Sequence, residues 1–560
     1  MHALGHAFLL SGEKMTKSGK DLKFNILMWC VIIIGMVVAC IFCAQKQGFH
    51  YDEYYSYYST NITAGSHVYN REWRSADDIK NEFMALQGDS FNLGLVKLNQ
   101  SFDVHPPLYY FLLRMVSCLS KGVFSKWQGL AINLIFYFIC LILLWKIADI
   151  FGNGNKYINL FTLLLFVLSP GYLSTVTFIR MYVMLTAICF GVLLLTMKAM
   201  QNDRWDFVHV FIPSVLLAFA GFMTHYYFMI FMFFLAAFTC IYLVVRKETR
   251  VKAFIYGGSV CVGMAAAVLY YPSCISHIFS GYRGKEATEA FADMSNTVSR
   301  ISFFVQILND YTFSGMFFIL VLVIILLYMF CSYRNKTSMK NDVSKEQGEE
   351  VKDTEQIKEV NAKKEKPVVA LLIFVTICYF LIVCKTGMMP SNPPEALRYE
   401  CPAYGLIILI VVWAIFKLFE KVTKIVYIPM AVMAIAVLFQ IKGLCSDKVF
   451  FVYKDAPANV AWAADNGADD IVYIFNPQNE WMVWNDSSEL MEYKNIYFID
   501  ANDTDPVDEQ IITQMNEIYV YSCRSENTDA IIQNVINAND NLNAYEKVSE
   551  RLLIDIYKLY

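Results

Sequence analysis

The sequence predicts an all-α polytopic membrane protein with a small α/β unit at its C-terminal end. Three observations carry this. The chain has 560 residues, 57% of them hydrophobic, with a mean hydropathy of +0.41; soluble domains sit nearer 45–50%. The apolar excess is gathered into about eleven runs of near-spanning length, roughly 20 residues each. Residues 444–560 instead alternate short apolar runs with polar, acidic segments.

The runs are 24–44, 127–147, 157–176, 181–200, 207–224, 226–245, 253–272, 313–333, 367–384, 402–419 and 424–443. The first is longer than a signal-peptide apolar core, and no small-x-small site follows before "QKQGFHYDE", so it reads as an uncleaved span. Lys14, Lys17, Lys20 and Lys23 precede it, which sets residues 1–23 in the cytoplasm by the positive-inside rule. Residues 45–126 then form the first outer connection. Within it "PPLYYFLLRMVSCLS" (106–120) is short for a span and carries Arg114 at its middle, so it is expected to lie at the interface as a short helix. That choice leaves most Lys and Arg on connections 146–156, 198–206, 246–252, 334–366 and 417–424, all inside, and sets the C-terminus outside.

Segment 334–366 is densely charged with both signs and no apolar period, and reads as a flexible cytoplasmic linker. In 444–560, "DIVYIF", "KNIYFID" and "EIYVYS" read as buried strands and "NTDAIIQNVINA" as an amphipathic helix. This unit has a single glycine, Gly467, and so no Gly-rich phosphate loop; nucleotide binding is not assigned to it. Most of the 15 cysteines lie in apolar runs, and Cys274, Cys401, Cys445 and Cys523 show no paired spacing, so neither a disulfide framework nor a zinc site is expected. Nothing in the charge pattern points to nucleic acid; the net charge is −4.

With this topology six polar motifs fall at one membrane face. They are Asp52-Glu53 among tyrosines in "GFHYDEYYSYYST", "FDVHPPLYY" with Asp103 and His105, "SPGYLSTVTFIRMY" with Arg180 and Tyr182, "MTHYYF" with His225, "SGYRGKE" with Arg283, and "NPPEALRY" with Arg398. Each has a purely structural alternative: a solvated acid pair, Asp103 complementing a helix dipole, Arg180 snorkelling to headgroups, His225 in an aromatic belt. Joined, they make an anion clamp beside a carboxylate at the depth of a lipid headgroup. Arginine suits phosphate because its planar donors meet two oxygens at once, and Tyr54, Tyr55 and Tyr58 suit stacking on sugar rings. The acid pair also suits a divalent cation, so metal dependence stays open; no cofactor is assigned.

An acidic pair just after the first span, then "DVHPPLYY", then Arg-x-Tyr at an outer turn resembles the GT-C glycosyltransferases. The likeness is closest to dolichyl-phosphate-mannose–protein mannosyltransferases and their bacterial relatives, including aminoarabinose transferases that modify lipid A. It covers roughly residues 20–445. It implies hexosyl transfer from a polyprenyl-phosphate carrier to an acceptor hydroxyl, on a glycan, lipid or protein, at the outer face of the plasma membrane and with inversion. By resemblance Asp52 is the base, with Glu53 supporting. Arg180 binds the donor phosphate, with Arg398 and Arg283 next in line. Asp103, His105, Tyr182, His225, Tyr54 and Tyr55 line the donor or acceptor entrance. The sequence lacks the long lumenal domain that the eukaryotic enzymes carry between middle spans, and has the C-terminal α/β unit instead. A transporter or lipid flippase is the main rival; such proteins usually bind near the bilayer midplane and show internal repeats. A receptor or scaffold working through its C-terminal unit is a third reading.

Overall fold

A computed structural model describes residues 2–62, 68–246, 249–341 and 352–560, and the side chains of these apart from 2–21, 335–341 and 352–365. Among the described residues nine helices are long and apolar enough to cross a membrane. The first is the C-terminal part of α1 (His2–Gln45), Leu22–Gln45, and the last two are Cys401–Val422 and Tyr427–Val452. The chain is a multi-pass membrane protein.

Two of the predicted runs differ from simple spans. Run 157–176 is a bent pair, Lys156–Val167 and Pro170–Thr177, meeting at 54°. Pro170 has no N–H to continue the ladder, and the Ser169 side chain accepts from the Tyr172 amide to start a new helix. All eight residues of the second half are buried. Gly171 makes that packing possible: a Cβ there would stand 2.9 Å from Thr312 Oγ1. Run 207–224 opens with a π-helical turn, Phe207–Phe211, that continues into Ile212–Phe222, together a shorter apolar helix than the nine long ones. Pro213, which cannot donate to the preceding turn, accounts for the widened start.

Segment 106–120 folds as a helix, Leu108–Leu119. Its 12 residues reach about 18 Å, well short of the roughly 30 Å of hydrocarbon. Arg114 is 2% exposed and staples the first connection. Its guanidinium donates to Ser90 O at 2.9 and 3.2 Å and to Asn61 Oδ1 at 3.2 Å, and pairs with Asp89 at 3.3 Å. Much of the charged segment 334–366 lies outside the described residues. Its last part is helical rather than a linker, because the helix Lys352–Thr386 runs through it into the next span.

The C-terminal unit is built on a six-stranded sheet in the order β1-β3-β2-β4-β6-β5. The strands are β1 (Glu72–Ser75), β2 (Asp470–Phe475), β3 (Asn495–Asp500), β4 (Ile518–Ser522), β5 (Tyr545–Glu550) and β6 (Asp555–Leu559). β2 runs parallel to β3 and β4, and the other pairings are antiparallel. The central strands are covered on both faces, which is why they read as unbroken apolar runs. The predicted amphipathic helix is Thr528–Asn537. β1 comes from the first connection, so the sheet is not continuous in the chain. Arg71 fixes that strand's start through Asp503, at 2.6 and 3.0 Å.

Candidate active site

The site begins at the short helix α2 (Tyr51–Asn61), which follows the first span. His50 caps it: its Nδ1 accepts from the Asp52 amide at 3.1 Å, and Glu53 Oε2 accepts from the His50 amide at 2.6 Å. This reciprocal capping box holds two orphan amides. Glu53 is fully buried and does more. Its Oε1 accepts from the Ile179 amide at 2.7 Å, and its Oε2 accepts from Lys46 Nζ at 2.9 Å, while Lys46 also donates to Phe451 O at 2.8 Å. Both Glu53 oxygens are therefore taken by fixed donors. The acidic pair is split: Glu53 faces the core and ties α2 to the end of the bent pair, and is not presented with Asp52 to a cation or a substrate.

Asp52 faces the other way, with its side chain 23% exposed. Arg398 Nη1 donates to its Oδ2, Arg180 Nη2 lies 3.9 Å from its Oδ1, and His50 Nδ1 lies 3.7 Å from Oδ2. Burial pushes the Asp52 carboxyl up, but the Arg180 and Arg398 guanidiniums outweigh it and hold the group below the usual carboxylate range. Arg180 is brought here by the bend at Pro170. Its Nη1 donates to Tyr110 Oη at 2.9 Å, to Ser56 Oγ at 3.2 Å and to the Asp52 carbonyl at 3.2 Å. Arg398 Nη2 donates to Tyr399 Oη at 3.1 Å, and its guanidinium lies over Phe178. Both arginines are almost fully buried, and the Nε of each has no hydrogen-bond partner among the described residues. A buried, unpaired N–H carries a penalty of about 1–3 kcal/mol, which an incoming acceptor atom removes.

Asp103 and His105 join the cluster. His105 Nδ1 is 2.9 Å from Asp103 Oδ2 and 3.4 Å from Arg180 Nη2. Burial lowers the His105 pKa, with Asp103 opposing and Arg180 reinforcing. Burial raises Asp103 but the His105 contact wins and lowers it. Tyr182 and His225 complete the wall, with rings 5.4 Å apart, and His225 lies 5.9 Å from His105. Tyr55 lies near this wall with its ring 5.4 Å from Trp484 of the C-terminal unit.

Two predicted residues stand elsewhere. Tyr54 is 1% exposed, packed against Phe49 and Phe83 with centroids at 5.1 Å, and belongs to an aromatic core rather than to the entrance. Arg283 sits on the half-exposed helix Tyr282–Ala292; its partners are Glu286 at 2.9 Å, the Met388 sulfur and the Tyr282 ring, not Asp52. Residues that the sequence reading did not single out for the site are His50, Ser56, Tyr110, Glu395 and Tyr399. Glu395 lies 3.8 Å from His50 Nε2. His50 carried a signal, a polar residue directly before the first helical turn; Tyr110 closes the quoted "DVHPPLYY" motif.

Fold and site together define a multi-pass membrane protein with a buried acid–arginine centre where its helix ends meet the sheet-bearing unit. Two crystal structures of ArnT from Cupriavidus metallidurans, one bound to undecaprenyl phosphate and one in the apo state, are similar to the chain. Their TM-scores are 0.49 and 0.48, each at 9% identity, covering 95% of this chain and 98% of that one. Likeness at this level assigns no residue a role. No protein-family model and no curated protein matches the sequence.

Proposed function

We propose that the chain is a GT-C-type membrane glycosyltransferase that moves a sugar from a polyprenyl-phosphate carrier to an acceptor hydroxyl, with inversion at the anomeric carbon. The observation that supports this most is one partly exposed carboxylate, Asp52, flanked by two buried guanidiniums, Arg180 and Arg398, each with an unpartnered Nε. In the reaction Asp52 takes the acceptor's proton, the acceptor oxygen bonds to the anomeric carbon, and the bond from that carbon to the phosphate oxygen breaks. The leaving group departs as a phosphate anion, which needs charge stabilisation rather than a proton. One base and an arginine clamp therefore suffice, where a glycosidase needs two carboxyl groups. Preorganised guanidiniums in a site shielded from water stabilise that developing charge. An arriving phosphate also takes over donors that Asp52 occupies in the free protein, so donor binding raises the carboxylate's basicity as it positions the sugar.

Purified protein incubated with labelled polyprenyl-phosphate sugars and membrane acceptors is expected to transfer label. Arg180→Lys keeps the charge but loses the planar fork, so affinity for polyprenyl phosphate is expected to fall about tenfold or more. Unchanged binding in Arg180→Ala overturns the clamp assignment. Movement of labelled lipid between leaflets with no transfer points to a flippase instead.

In the proposed arrangement residues 1–23 are cytoplasmic, 24–443 form the transferase domain and 444–560 an extracytoplasmic unit. With native accessible thiols blocked, a cysteine at Asn502 is expected to label from outside, and one at Glu420 only after permeabilisation. Labelling of both from one side contradicts this topology.

A further inference from the structure

The C-terminal unit has a feature that the transfer centre does not use. β2 connects to β3 on one side, while its other neighbour, β4, leads through Thr528–Asn537 to β5 and β6 on the opposite side. Adjacent parallel strands whose connections leave in opposite directions open a crevice at their carboxyl ends, the usual ligand position in an open α/β sheet. The segment leaving β2 there is "NPQNEW", Asn476 to Trp481. Its amide side chains are partly or fully exposed, and Trp481 is 37% exposed. Asn479 Oδ1 accepts from Trp481 Nε1 at 3.1 Å and Asn476 Oδ1 accepts from the Gln478 amide at 2.9 Å, which fixes the loop.

This loop reaches the transfer centre. The Trp481 and Tyr51 rings lie with centroids 4.8 Å apart, Tyr51 and His50 3.9 Å apart, and Asp52 is the next residue. Trp481 packs on α2 only through Tyr51, at the helix start, among the ring contacts of the described residues. Trp484 docks the sheet further along α2, with Tyr58 at 4.6 Å and Tyr55 at 5.4 Å. An exposed indole beside exposed amides offers an apolar plate for the C–H face of a ring, with paired donors and acceptors for neighbouring hydroxyls. The donor's tail holds it on the bilayer side, so the sheet side of Asp52 is left for what arrives from solution.

We propose that the crevice at the carboxyl ends of β2 and β4, with Trp481 as its plate and Asp52 at its inner end, is the acceptor subsite and takes the pyranose ring of a carbohydrate acceptor. This rests on the transferase reading. The C-terminal unit then selects the acceptor while the helical part holds the donor.

The test uses the full-length protein in a detergent without a sugar headgroup. Methyl mannoside, methyl glucoside and methyl N-acetylglucosaminide are the probes, and saturation-transfer NMR on their protons is the readout. At least one glycoside is expected to bind the wild type, with affinity lowered about tenfold in Trp481→Ala and largely kept in Trp481→Phe. Polyprenyl-phosphate binding, unchanged in both variants, shows that they are folded. No binding of any probe to the wild type, or equal binding to Trp481→Ala, overturns the subsite. If Asp52→Asn transfers at full rate while glycoside binding still needs Trp481, the sugar site stands and the transfer reading falls. If Asp52→Asn abolishes transfer but Trp481→Ala binds glycosides and transfers like the wild type, the subsite alone falls.

Discussion

Asp52→Asn is expected to lower sugar transfer by about 10²–10⁴, the usual worth of a positioned general base. The change is nearly isosteric, so the capping of α2 by His50 and Glu53 stays in place. Binding of polyprenyl phosphate is expected to hold or tighten, because the carboxylate that competes for Arg180 and Arg398 has become neutral. This opposite movement of turnover and donor affinity separates a base from a donor ligand. The pH dependence follows from the depressed Asp52 pKa. In the free protein the group is ionised well below neutrality, so the kcat/KM profile carries no acid limb from Asp52 between about pH 5 and 8. The sign for stability is that of a depressed acid. The ion pairing stabilises the fold above the unfolded carboxylate pKa of about 3.9, and that contribution is lost as pH falls toward the folded value. A full-rate Asp52→Asn protein would refute the assignment.

Glu53→Gln is expected to act on folding rather than on chemistry. It strands Lys46, fully buried and otherwise held, among the described residues, by Phe451 O and the Phe49 and Tyr453 rings, without a counter-charge. Breaking one side of a buried pair costs about 3–5 kcal/mol, and here the loss falls on the joint between the first span, α2 and the bent pair. Thermal unfolding and the yield of folded protein measure it. Adding Lys46→Met to Glu53→Gln is expected to restore part of the stability, because the stranded charge is removed with its partner. A Glu53→Gln protein that unfolds like the wild type but turns over slowly would return Glu53 to the reacting groups.

The contrast between these neighbours marks the limit of what the sequence discloses. Arginine, aspartate and histidine among long apolar runs stand out because each is expensive near hydrocarbon, so Asp52, Asp103, His105, Arg180 and Arg398 were visible as a set. Their orientation was not. Consecutive residues on a helix point about 100° apart, and five of the eleven residues of α2 are tyrosines, so nothing local told Asp52 from Glu53, or Tyr51 from Tyr54. Arg283 and Arg398 both sit in short polar segments, and only tertiary packing sends one to the rim and the other to the carboxylate. The break at Ser169-Pro170 was hidden because the apolar run continues through it. Among the strands, β2, β3 and β4 were legible as buried apolar runs. β1, "EWRS", and β5, "YEKVSE", are polar edge strands whose pairing is decided by their neighbours.

β1 also constrains how the protein is made. It pairs with β3, residue by residue from Glu72 opposite Phe498 to Ser75 opposite Asn495. During synthesis the edge strand leaves the ribosome about 400 residues before its partner, a wait of roughly 20–80 s at about 5–20 residues per second. Every later membrane helix is inserted in that interval. The first connection and the C-terminal unit must therefore be delivered to the same side of the membrane before the sheet closes. An inverted helix anywhere between them leaves β1 and β3 on opposite sides of the bilayer, so closure of this one strand pair acts as a parity check on the insertion of all the helices between.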